Sequence, residues 1–187
     1  MIFLQWSLFC ALPAIVGIYV KNKKLSPKNK ILILHVGVLI SIALFSIVGV
    51  RLTWQPSSLS LALLLLSVLA SFLLLGKYGF LYIVSTFMQE WNILLSASYL
   101  AGGYGIIFAA LITAFVFILP HQTLANDLVW KLPLLFVWGC ASFFLYVWLG
   151  EPLLNVAIHA TGGSILIYKR ILYWPRTEPV RIEEKGE

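Results

Sequence analysis

Three residues stand out as candidates for chemistry in an otherwise apolar chain. Glu90 lies in Phe87-Met88-Gln89-Glu90-Trp91-Asn92, His121 closes Phe117-Ile118-Leu119-Pro120-His121, and His159 sits in Asn155-Val156-Ala157-Ile158-His159-Ala160. A lone ionisable side chain in hydrocarbon costs about 2.5 to 3.5 kcal/mol on insertion scales, so each is a functional candidate by default. A carboxylate shielded from bulk water suits a general base that takes a proton from a reacting water. Two imidazoles beside it would divide the rest of a hydrolysis: His121 orients or shares the water, and His159, with or without Asn155, donates to the oxyanion of a tetrahedral intermediate. The same Glu and two His also make a set that holds zinc with a water in the fourth position, although no His-Glu-x-x-His stands in the chain. His35, near a lysine-rich loop, is the remaining imidazole.

The elements that must carry these residues follow from composition. Of 187 residues, 61% are hydrophobic and 11% charged, whereas a soluble domain is about 25% charged. Continuous apolar runs such as Leu59 to Leu75 approach the roughly 30 Å hydrocarbon thickness as helices. Without period-two alternation they do not suit a barrel. The expectation is an all-α, polytopic transmembrane helix bundle of about seven spans, near 2–20, 31–50, 58–75, 79–100, 104–125, 132–149 and 153–168. Residues 1–170 form a single transmembrane domain, and 171–187, with Pro175, Pro179 and mixed charge, form a solvated cytoplasmic tail.

The net charge of +6 is a topology signal rather than a nucleic-acid patch, because lysines concentrate in the loop from Lys21 to Lys30. With that loop cytoplasmic, the N-terminus is outside and the tail inside. Lys77, Lys131, Lys169 and Arg170 then fall on the cytoplasmic side and Arg51 outside. The first segment lacks a basic n-region and a small-residue cleavage site, and so reads as a retained span. Cys10 and Cys140 lie within apolar runs and read as small hydrophobes. Trp6, Trp54, Trp130, Trp148 and Trp174 fall near span ends, as interface anchors do.

Depth brings the three candidates together. Glu90 follows Gly79 by 11 residues, His159 precedes Arg170 by 11, and His121 precedes Lys131 by 10. Each is thus about 15 Å from the cytoplasmic end of its helix, if helix continues past Pro120. Asn155, His159 and Gly163, spaced by four, form one stripe with room beside the imidazole; Gly162 and Gly163 also suit close helix packing.

This constellation, Gln89-Glu90 on one helix, Phe117-x-x-x-His121 on the next and His159-Ala160 on a last one, resembles the CAAX prenyl protease and bacteriocin-processing (Abi) family of intramembrane endopeptidases. The resemblance covers a core of about residues 80–168. It implies catalytic roles for Glu90, His121 and His159, with Gln89, Phe117 and Asn155 in support, and it favours a metal-free glutamic mechanism over zinc. The implied substrate is a membrane-associated peptide or sorting tail, in a multi-pass protein of the bacterial inner membrane. The chain departs from the family pattern in three places: Gln89-Glu90 stands where a Glu-Glu pair is usual, Leu94 or Leu95 in either register stands where an arginine is usual, and Gly163 replaces the asparagine four residues after the last histidine.

Two other classes remain beside it. A catalytically inactive member would be a membrane scaffold in which Glu90 merely pairs with a histidine. A haem or quinone protein would use His121 and His159 as ligands on facing helices. Ser96, Ser98 and Ser164 show no sequence pairing with a histidine, and no Gly-x-Ser-x-Gly elbow or phosphate loop is present.

Overall fold

The structure is a computed structural model that describes residues 1–21, 23, 25, 27–53, 55–124, 131–169 and 171; the side chains of 14, 21, 27, 28 and 119–124 also fall outside the description. All of the expected tail 171–187 beyond its first residue, and Trp54 and Trp130, lie outside the described residues. Among the described residues all regular structure is helical: α1 (Ile2–Lys21), α2 (Pro27–Ile47), α3 (Ser58–Leu75), α4 (Gly79–Tyr104), α5 (Ile106–Leu124), α6 (Leu132–Leu149) and α7 (Pro152–Tyr168).

The helix ends are written in local chemistry. Pro27 opens α2, and Pro152 stands in the first turn of α7, where a missing N–H removes no helical bond. Ser57 caps α3 by accepting from the Ser60 backbone N–H at 3.1 Å. Gly150 closes α6 in the left-handed region, φ 69°. α2 stops at Ile47, three residues short of expectation, just before Gly49 at φ 86°.

Among the described residues, four apolar stretches are long enough to cross a membrane: Ile2–Val20, Asn29–Ile47, Ser58–Tyr104 and Leu132–Leu149. The protein is therefore membrane-embedded and helical; shorter apolar stretches are Ile106–Ile118, the part of α5 whose side chains are described, and Pro152–Tyr168. The longest stretch, 47 residues, is broken by a 3-10 turn at Gly76–Tyr78, so it forms two helices of 18 and 26 residues. Gly76 supplies the positive φ of 58° for that reversal, and Gly79 packs directly on the backbone of Ser71 and Phe72.

α4 is the post around which the bundle is built, since it touches each of the other six helices. α3 lies along α7, where the hydroxyls of Ser71 and Ser164 bond at 2.8 Å. α5 and α6 approach closely because Gly139 offers no side chain to Ala114. α1 is tied to α4 by polar bonds. Trp6 donates its indole N–H to Ser96 Oγ at 2.8 Å, Cys10 Sγ lies 2.9 Å from the same oxygen, and Tyr99 donates to Gln5 Oε1 at 2.5 Å. Trp6, expected at the interface, is thus a buried donor, because its position near the chain start does not reveal that α4 offers it an acceptor. Trp148, near the end of α6, is 82% exposed.

At the opposite end from the lysine loop, Ser57 Oγ donates to Glu151 Oε2 at 2.9 Å, joining α3 to the α6–α7 connection. Hydrogen bonds from Ser60 and then Ser57 hold the Glu151 carboxyl below its usual range. The folded value lies below the unfolded one, so this tie stabilises above the ordinary glutamate range and is lost as pH falls through the depressed value. The difference in thermal midpoint between wild type and Glu151→Gln should therefore shrink on acidification below about pH 4, as read by unfolding in detergent.

A second outcome concerns the α3–α4 reversal. A Cβ on Gly79 would come within 2.6 Å of the Ser71 carbonyl oxygen, whereas one on Gly102 meets nothing within 4 Å. Gly79→Ala should lose about 1–3 kcal/mol of stability, and Gly102→Ala should lose far less, in parallel denaturation curves.

A buried carboxylate held by α6 and α7

Glu90 is fully buried on the face of α4 that meets α6 and α7. Its carboxylate accepts three hydrogen bonds. Trp138 Nε1–H donates to Oε1 at 2.9 Å and Ser142 Oγ–H donates to Oε2 at 2.5 Å, both from α6. From α7, His159 Nδ1 lies 2.6 Å from Oε1. When the carboxylate is ionised it only accepts, and Nδ1 is then the donor in that bond. Trp138 and Ser142 are four apart and so share one face of α6, and the close seat of Gly139 on α5 sets that helix's position.

The imidazole is held on every side but one. Its ring meets Trp138 edge-on at 5.5 Å and Phe117 of α5 edge-on at 6.4 Å. With Nδ1 on Glu90, Nε2 has no hydrogen-bond partner among the described residues, and the side chain is 14% exposed. A histidine whose Nδ1–H is fixed by a buried carboxylate presents Nε2 as the proton-accepting atom, the arrangement of a general base with its orienting group.

The sequence-derived candidates meet different fates. Glu90 and His159 are brought into direct contact, and Phe117 borders them. Asn155 is fully buried, but it serves Ser142 rather than the imidazole: its Nδ2 donates to Ser142 O at 2.5 Å and to Ser142 Oγ at 2.8 Å. Gln89 points elsewhere and donates to Ser85 Oγ at 3.0 Å. His35 bonds the same Ser85 through Nε2 at 2.7 Å, with Nδ1 donating to the Ile31 carbonyl.

His121 belongs to α5, which continues through Pro120 and is described as far as Leu124. The expectation of about 15 Å to the helix end, from a helix running on towards Lys131, falls on 125–130, which lie outside the described residues, as does the His121 side chain. The expected room beside Gly163 is also filled, because a Cβ there would collide with the Tyr82 hydroxyl. An asparagine, which the family pattern has at this place, does not fit this packing.

Ser142 and Trp138 are the site residues that sequence reasoning missed. Nothing in an apolar run distinguishes a serine that serves a carboxylate from one that bonds its own helix, as Ser67 does with the Leu64 carbonyl. The signal available was position: Trp138 lies mid-span, away from the interface where tryptophans ordinarily anchor.

The geometry also tests the zinc set. Two ligands on one tetrahedral zinc, with bonds of about 2.0–2.1 Å, stand about 3.3 Å apart. At 2.6 Å, Glu90 Oε1 and His159 Nδ1 are bonded to each other instead. Among the described residues no three His, Cys, Asp or Glu side chains converge on a metal position. Glu90 and His159 as placed do not fit a shared zinc through these atoms. No family model matches the chain, and no curated protein or solved structure matches it either.

Ser142→Ala should destabilise the fold by about 1–2 kcal/mol, since it strips one donor from Glu90 and one acceptor from Asn155. Ser67→Ala, which loses only an intrahelical bond, should change the midpoint much less in the same unfolding assay.

Proposed function

We propose that this protein is an intramembrane hydrolase, a peptidase that cleaves a membrane-associated peptide or sorting tail with Glu90 and His159 at its centre. The observation that carries the reading is the 2.6 Å bond between Glu90 and His159 Nδ1, which leaves Nε2 as the only ring nitrogen able to take a proton. The resemblance to the CAAX-processing and Abi endopeptidases supplies the peptide substrate class. The division of labour differs from the one that resemblance implies: three donors already engage Glu90, so the carboxylate orients and His159 is the base.

In this mechanism a water O–H proton passes to His159 Nε2 while the oxygen attacks the scissile carbonyl carbon. Glu90 offsets the charge of the imidazolium that forms. The tetrahedral intermediate then expels the amine, the C–N bond breaks, and the proton on Nε2 goes to the leaving nitrogen. His121 retains the water-orienting role that the resemblance gives it. All seven helices cross the bilayer, with the ends bearing Lys23, Lys77, Lys131 and Lys169 on the cytoplasmic side of a bacterial inner membrane.

A second reading is favoured by one observation: Glu90, 0% exposed with three donors, is already satisfied without any substrate. On that reading the protein is a membrane scaffold and the cluster is a helix clamp.

Cleavage of membrane-anchored reporter peptides by the purified protein separates the two. The hydrolase reading expects turnover that falls at least 100-fold in His159→Asn and in Glu90→Gln, variants that stay folded, and that survives a strong zinc chelator. No cleavage by wild type, with both variants less stable than it, selects the scaffold.

A further inference from the structure

Gln89 and Glu90 are neighbours in sequence but lie about 100° apart around α4, so they serve different sides of the post. The Gln89 side continues through Asn92, Ile93 and Ser96, residues three, four and seven further on. It borders a cavity enclosed by α1, α2, α4 and α5 with about 60 Å³ open to the centres of water-sized molecules. A single water occupies about 10–15 Å³, so the space admits several.

The wall is mostly apolar, but polar side chains interrupt it, and it carries no formal charge on Lys, Arg, Asp or Glu. Cys10, His35, Gln89, Asn92, Ser96 and Thr113 contribute to it. Two of these residues hold buried oxygens without a partner among the described residues, Asn92 Oδ1 and Thr113 Oγ1; Thr113 is only 4% exposed. An unpaired buried polar atom costs about 1–3 kcal/mol, and hydrocarbon offers it nothing. A small side-chain rotation into the cavity would give each oxygen a water.

Phe117 belongs to the wall of this cavity and also lies edge-on against His159. A cavity with polar groups in want of partners therefore ends one ring away from the imidazole that needs a water. We propose that this cavity is a water-binding chamber that supplies the hydrolytic water to His159, with Phe117 as the partition between them. The hydration itself stands on the cavity; its supply role rests on the hydrolase reading.

The test is water-edited solid-state NMR of the full chain in lipid bilayers, following polarisation transfer from water protons to the side-chain amides of Gln89 and Asn92, with lipid-facing Leu111 as the dry reference. Transfer several-fold faster than to Leu111 is expected, and it should be lost in the double variant Asn92→Leu/Thr113→Val while persisting in Glu90→Gln. Transfer no faster than to Leu111 in the wild type overturns the chamber. Reporter cleavage by the double variant tests the supply role: at least a 10-fold loss at unchanged stability supports it, and a parental rate in a dried chamber overturns it. Should the wild type cleave no reporter, the hydrolase reading and the supply role fail together, while the transfer rates still decide the chamber.

Discussion

A carboxylate in the middle of a helix bundle inside a bilayer is the constraint on which this architecture turns. Glu90 is excluded from solvent, so its charge has to be met by donors from its neighbours, and α6 and α7 supply them through Trp138, Ser142 and His159. Those donors arrive only if both helices are held at one height and rotation against α4. Each supporting contact acts on that alignment. Asn155 links α7 to Ser142 on α6, Gly163 lets Tyr82 of α4 into the surface of α7, and Gly139 seats α6 on α5. The small residues at these positions do what bilayer packing requires, since lipid-facing apolar surface gives helices no hydrophobic reason to associate.

The same post separates two polar territories. On one face Glu90 is saturated with donors and the imidazole beside it retains one open nitrogen. On the next, Asn92 and, from α5, Thr113 border a cavity with oxygens that have no partner among the described residues. One territory is complete and the other is not, and polar groups of the second kind are the ones that draw in water. Phe117 and Ile93, which pack together, are the apolar material between them.

Helix positions were legible in the sequence because apolar runs and their proline and glycine punctuation are local signals. Pro152 and Gly150 mark the α6–α7 junction as plainly in the sequence as in the structure. The Glu90–His159 pair was legible for a different reason: ionisable residues are so scarce in these runs that few pairings exist. What could not be read was tertiary. Ser142 looks like any small residue of an apolar helix, and only the approach of α4 makes it a ligand of Glu90. Gly163 marks a close approach, but the sequence does not say that Tyr82 fills it. Trp6 sits where an interface anchor is expected and instead finds Ser96 ninety residues away.

The protonation of one ring decides the central claim, that Glu90 fixes His159 through Nδ1 and leaves Nε2 to act. Solid-state ¹⁵N NMR of the selectively labelled protein in bilayers reads it directly. Wild type should show Nδ1 protonated and hydrogen-bonded to a carboxylate, with that bond's signature altered in Glu90→Gln. A His159 with Nδ1 unprotonated and the proton on Nε2, insensitive to Glu90→Gln, would contradict the account.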